Sequence, residues 1–295
     1  MKNMRIIPRL DIKGPNIVKG IHLEGLRVLG KPEDFAYQYY LDGADELIYM
    51  DVVASLYRRN SLFELVKSTV DKVFIPLTVG GGIRTIEDIR KMLRAGADKV
   101  AINTAAIHNP ELITEAAKLF GSQCVVVSIE AKRVGPSRYE AFTDNGRERS
   151  GVDVFEWAAR AEEIGAGEIL LTSVDREGTG KGYDIELVKK VSALVSIPVI
   201  ACGGAGSRED FYEVIQDGKA DAVSAASVFH YLQTKTIVEE GKFREVGNIE
   251  YLKSYSKMEE LLRTSNCDLL HIWDVKELLI SRGIPCRPLS EVRIA

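Results

Sequence analysis

The sequence predicts a (βα)8 barrel, a TIM barrel assembled from two half-barrel repeats with an insertion after the eighth strand. Three observations carry that prediction. Short β-branched runs alternate with longer amphipathic stretches almost from end to end, the pattern of β-α units around a parallel sheet. The runs number eight. The second half of the chain also echoes the first at an offset close to 122 residues, the mark of a duplicated unit.

The elements follow in order. RIIPRLD is the first strand, and Pro32 opens the helix PEDFAYQYYLDGA, where a missing N–H has no partner to lose. ELIYMD and IPLTVGG are the second and third strands; TIEDIRKMLRAGA then starts on a threonine cap and stops at a glycine. KVAINT is followed by the helix NPELITEAAKLFG, and CVVVSIE by DVFEWAARAEEIGA. EILLTS leads into DIELVKKVSALV, and IPVIACGG and AVSAAS complete the eight. The repeat matches LDIK at 10–13 with IEAK at 129–132 and GADE at 43–46 with GAGE at 165–168. It also matches VGGGIRTIED at 79–88 with ACGGAGSRED at 201–210 and, after one extra residue, AINT at 101–104 with SAAS at 224–227.

A composition of 45% hydrophobic and 28% charged residues excludes a disordered, collagenous or coiled-coil chain. A barrel takes ~250 residues, so a chain of 295 reads as one domain over 1–295 with its surplus in an insertion at 232–272. With 39 basic and 43 acidic residues, the net charge of −4 provides no overall positive field for a nucleic-acid backbone or an anionic membrane. Pro8, Arg9 and Asp11 interrupt the N-terminal apolar run, and no later stretch reaches ~18 uncharged apolar residues, so a cytoplasmic protein is expected. Cys124, Cys202, Cys267 and Cys286 form no metal-binding spacing, and reduced thiols with no metal and no cofactor are expected.

Reactive groups in such a barrel lie just past the C-terminal ends of the strands. Asp11 and Glu130 end strands one and five and should face each other across the mouth. Opposed carboxylates suit general acid/base work, one giving a proton while the other takes one. The competing reading pairs them with Lys13 and Lys132 for structure alone. Glycine clusters are the second signal: Gly81 and Gly82 stand near Asn103 and Thr104, as Gly203 and Gly204 stand near Ala226 and Ser227. Bare amides near a helix N-terminus hold phosphate, although tight βα turns need glycine in any case. Two clusters related by the repeat point to a substrate with two phosphates.

Residues 4 to about 231 closely resemble the HisF family, the cyclase subunits of imidazole glycerol phosphate synthase. The resemblance lies in RIIPRLDIKG, VKG at 18–20, GADELIYMD, FIPLTVGGGI, GADKVAINTAA, GSQCVVVSIEAKR, GAGEILLTSVDREGT, and GGAG followed by ASVFH. It implies a barrel that receives ammonia from a HisH-like glutaminase at its N-terminal face and cleaves and cyclises a bis-phosphorylated ribulosyl aminoimidazole nucleotide. It further implies that Asp11 is a general acid/base and that Lys19 contacts substrate. Gly82, Asn103 and Thr104 would form one phosphate cradle, and Asp175, Gly203, Gly204, Ala226 and Ser227 the other. Arg5, Glu46, Lys99 and Glu168 match the family's charged ammonia gate; a structural salt-bridge ring is the plainer reading of that quartet.

Several residues depart from the family. Glu130 stands where it has aspartate, with a reach longer by one methylene at a position where geometry decides proton transfer. Arg9 replaces a small cysteine; a cation beside Asp11 favours its ionised form and weakens it as an acid. Leu23 replaces an aromatic, and residues 232–272 have no counterpart. The combination is similar to HisF-like paralogues of surface-sugar (O-antigen) clusters, in which glutaminase-derived ammonia passes to a separate sugar amidotransferase. A third reading is a catalytically silent scaffold that activates the glutaminase. Within the insertion, IEYLKSYSKMEELLRT reads as an amphipathic helix with Tyr251, Leu252, Tyr255, Met258, Leu261 and Leu262 near one face, either packed on the barrel or forming a partner surface or lid.

Overall fold

A computed structural model describes residues 3–53, 62–239 and 267–288. Strand β1 (Arg5–Lys13) is followed by a hairpin, β2 (Asn16–Ile21) and β3 (Glu24–Gly30), then α1 (Pro32–Leu41). Next come β4 (Leu47–Asp51), α2 (Phe63–Val70), β5 (Leu77–Gly80), α3 (Ile86–Ala95), β6 (Lys99–Ile102), α4 (Thr104–His108) and α5 (Glu111–Phe120). The second half runs β7 (Val125–Gly135), a hairpin of β8 (Arg138–Thr143) and β9 (Glu148–Asp153), then α6 (Val154–Glu163) and β10 (Glu168–Ser173). It closes with α7 (Ile185–Leu194), β11 (Val199–Cys202), α8 (Arg208–Gln216), β12 (Ala222–Ala225), α9 (Ser227–Glu239) and α10 (Ile272–Ser281).

The strands β1, β4, β5, β6, β7, β10, β11 and β12 pair in parallel in that order, and β12 returns to β1. These are the eight strands expected from the sequence. Alternation along each strand separates two cores. On β1, Ile6, Leu10 and Ile12 join the shell between sheet and helices, while Ile7 points into the barrel. The interior is filled by Ile7, Ile48, Ala101, Val126, Leu170, Ile200 and Ala222. Strands buried on both sides need this near-continuous apolar character.

The duplication persists in detail. Thr85 and Asp88 form a capping box on α3, and Ser207 and Asp210 form its counterpart on α8. The Leu77 amide donates to Asp98 at 2.8 Å, and the Val199 amide to Asp221 at 3.0 Å. Both hairpins were missed in the sequence, although DNG at 144–146 is a turn signal. Their tips obey the same offset: His22 and Leu23, like Asp144 and Asn145, hold positive φ.

Residues 232–239, the start of the segment expected as an insertion, continue α9 without a break. The segment read as an amphipathic helix at 249–264 lies outside the described residues. On return, the Asp268 amide donates to Gly206 O at 2.6 Å and that of Leu270 to Val228 O at 3.0 Å. Helix α10 then packs against α8, and Lys276 and Arg287 bind Asp45 at 2.7 and 3.0 Å, fastening the chain to the strand-entry end.

Candidate active site

Going up β1, the inward positions are Arg5, Ile7, Arg9 and Asp11, a charged floor, an apolar layer and a charged mouth. At the floor, Arg5 binds Glu46 at 2.8 Å and Glu168 at 2.5 Å, and Lys99 binds the same two carboxylates at 3.0 and 2.9 Å. The quartet expected from the sequence is therefore a closed ring of alternating charge. Burial opposes the Arg5 charge, but the two carboxylates outweigh it and hold the guanidinium protonated.

At the mouth, Asp11 and Glu130 are buried, and neither pairs with the lysines that the structural reading assigned to them. Lys13 is exposed, and Lys132 Nζ lies 5.1 Å from the Phe142 ring centroid. Asp11 Oδ1 instead accepts from Arg9 Nε at 2.8 Å. The Arg9 guanidinium is 1% exposed, reaches across the barrel to Thr172 Oγ1 at 3.0 Å, and leaves Nη2 without a partner. Glu130 is level with Thr172 in the β7–β10 register, and its Oε2 has no partner either. Burial pushes the Glu130 carboxyl from an ordinary 4.5 up to about 7, although Arg9, the Gly146 amide and Asn103 pull the other way.

A cavity of about 400 Å³ opens beside Glu130, lined by Asp51, Gly81, Gly82, Asn103, Thr104, Ser128 and Asn145, with Arg84 and His108 among its outer residues. Gly81, Gly82, Asn103 and Thr104, expected together from the sequence, thus line one cavity. Gly81 has φ +93°, and a Cβ there would stand 2.3 Å from Asp51 O, so the approach of β4 to the loop demands glycine. The tip of the second hairpin forms the opposite wall: Asp144 N donates to Thr104 Oγ1 at 3.0 Å, while Asn103 Nδ2 donates to Phe142 O at 3.0 Å.

The second cradle is placed differently. Gly203, Gly204, Ala226 and Ser227 are all buried, and Cys267 and Asp268 lie over the adjoining loop through Ala205 O and Gly206 O. Asp175, expected at this cradle, accepts from Arg133 N at 2.7 Å on the hairpin strand β7. Lys19 is also not open to the cavity: it is 3% exposed and pairs with Glu177. Burial opposes both charges, yet the pairing outweighs it, so Lys19 is raised and Glu177 lowered. Glu177 was missed in the sequence because its one signal is a buried lysine far away in the chain.

Fold and site together define a (βα)8-barrel protein with two buried carboxylates at the strand C-termini, one paired with a buried arginine and the other beside a glycine-lined cavity. The chain belongs to the histidine biosynthesis protein family, whose model matches residues 5–235. It is 65% identical over 211 residues, covering 72% of this chain and 100% of the relative, to the imidazole glycerol phosphate synthase subunit HisF of Legionella pneumophila.

Proposed function

We propose that this chain is a HisF-type cyclase that uses ammonia from a HisH-type glutaminase to cleave and cyclise a bis-phosphorylated ribulosyl aminoimidazole nucleotide. The observation that carries this reading is the placement of Asp11 and Glu130 in one buried mouth with the Gly81–Thr104 cavity beside Glu130. Ammonia attacking a carbonyl must shed a proton, and a departing nitrogen must gain one. Two carboxylates in different environments perform both transfers. Backbone amides released by glycine, together with the Thr104 hydroxyl, suit a phosphate dianion at the cavity.

The partner assignment is supported at the other end of the barrel. Leu41, Leu119, Leu194 and Ile280 lie at or beside helix C-terminal ends, and Phe74 lies just before β5; all are 45% to 70% exposed. Helices run back against the strands, so these residues surround the Arg5–Glu46–Lys99–Glu168 ring. An apolar rim around a charged centre fits a protein interface. This rim supports ammonia entry through the ring from a docked glutaminase.

A second reading, that the barrel passes ammonia onward to a sugar amidotransferase, is favoured by Arg9 filling the interior above the ring and by the chain returning at Cys267 over the second cradle. Complementation separates the two. Expressed with its glutaminase in a bacterium lacking the cyclase gene, the chain is expected to restore growth without histidine. Soluble expression with no growth would overturn the cyclase reading in favour of the second.

A further inference from the structure

We infer that Arg9 is a positioning residue that divides the labour between the two carboxylates, holding Asp11 as the proton acceptor and leaving Glu130 as the proton donor. The inference rests on the cyclase reading for its consequence, but its basis is geometric. Arg9 Nε engages Asp11 at 2.8 Å, so one carboxylate oxygen is already committed to a cation. Glu130 has no comparable partner, and its Oε2 makes no hydrogen bond. An ion-paired carboxylate is poorly suited to carry a proton, whereas an unpaired, buried one keeps it.

A purely structural Arg9 would be expected to have its donors satisfied, because a buried charge with an orphan donor is costly and well-packed apolar residues replace such groups at little cost. Here Nη2 is orphaned while Nε and Nη1 are aimed at Asp11 and Thr172. The charged surroundings agree. Glu130 faces Arg9 and Asp11 from β1 and is touched by the Gly146 amide and the Asn103 side chain; burial pushes it up to about 7. Arg9 in turn faces Asp11, Cys202, Glu177 and Glu130, and Lys19 neutralises Glu177. Removing the guanidinium takes a cation from near Glu130 and leaves Asp11 without its ion pair.

Two readouts test the assignment. In ammonia-dependent turnover, the alkaline limb of kcat/KM reports loss of the donor proton, and Arg9→Met is expected to move that limb upward by about one pH unit or more. Arg9→Lys is expected to return it toward the wild-type position while recovering less of the rate, since an ammonium cannot bridge Asp11 and Thr172 together. Carbon-13 carboxyl NMR, with Glu130→Gln to assign the resonance, follows the same proton without requiring turnover. There Asp11→Asn, which frees the cation and deletes the second anion, is expected to shift the Glu130 titration downward. It decides the question even if Arg9→Met does not fold. A Glu130 titration unchanged in Asp11→Asn and in every folded Arg9 variant would overturn the proposal. Shifted titrations in a protein that does not turn over the substrate would support the charge arrangement and overturn the cyclase reading alone.

Discussion

The backbone amide of Asp144 donates to the side-chain hydroxyl of Thr104 at 3.0 Å. This contact joins a hairpin tip from the second half-barrel to residues of the first, so the wall of the cavity depends on a loop 40 residues further along the chain. Removing the hydroxyl at constant shape should loosen that wall and delete one group of the proposed phosphate cradle. Thr104→Val is expected to raise KM for the phosphorylated substrate by roughly tenfold with a smaller change in kcat, and to cost about 1 kcal/mol of stability from the unpaired amide. Steady-state kinetics and urea denaturation measure the two effects, and Thr104→Ser should restore most of both.

Glycine at position 81 is required by contact as well as by φ. Both Gly14 and Gly81 have positive φ, but a Cβ at Gly14 meets nothing within 4 Å, whereas at Gly81 it lies 2.3 Å from Asp51 O. Gly14→Ala is therefore expected to cost only the left-handed penalty of about 1 kcal/mol. Gly81→Ala should cost more, because the backbones of two neighbouring loops must separate. Thermal unfolding of the two variants side by side gives the comparison, and only Gly81→Ala should also impair substrate binding.

The buried Glu130 makes stability depend on pH in a stated direction. Its carboxyl binds a proton more tightly in the folded chain, at about 7, than at its ordinary 4.5. The stability tied to that proton is complete below about 4.5 and is lost as pH rises through 7, on the order of 3 kcal/mol in total. Glu130→Gln cannot ionise and should flatten this dependence, becoming more stable than the wild type at pH 8 while losing that advantage near pH 5. Denaturation midpoints across this range provide the measurement, together with a large loss of turnover.

At the barrel floor, Lys99 bridges Glu46 and Glu168, completing the ring that Arg5 begins. Lys99→Met opens one side of that ring without touching the mouth. Glutamine-dependent turnover with the glutaminase should change severalfold, while turnover with added ammonium salt should remain near the wild-type rate. Equal effects on both would reduce the ring to a structural closure.

Much of this arrangement was legible in the sequence because duplication repeats its signals. Asp11, Glu130 and the two glycine clusters stand at strand ends, positions that periodicity and the offset between halves identify, while the four floor charges followed from the family resemblance. What escaped depended on contacts between segments distant in the chain. The hairpin tips at Leu23 and Asn145 acquire meaning only when they meet, Asn145 Nδ2 donating to Leu23 O at 3.5 Å. Likewise, the pairing of Lys19 with Glu177 joins residues 158 positions apart in the chain. The second cradle looked equivalent to the first, yet the return at Cys267 and Asp268 covers its loop, a difference that no local pattern encodes.

The central claim is that the mouth containing Asp11 and Glu130 performs ammonia-dependent cyclisation. Purified chain, ammonium salt and the bis-phosphorylated ribulosyl aminoimidazole substrate test it directly, with both products followed by chromatography. The expected result is turnover to imidazole glycerol phosphate and the aminoimidazole carboxamide ribotide, reduced at least a hundredfold by Asp11→Asn, the scale of a lost general acid/base. A folded wild-type chain that binds the substrate but forms neither product, or an Asp11→Asn variant with unchanged turnover, would contradict it.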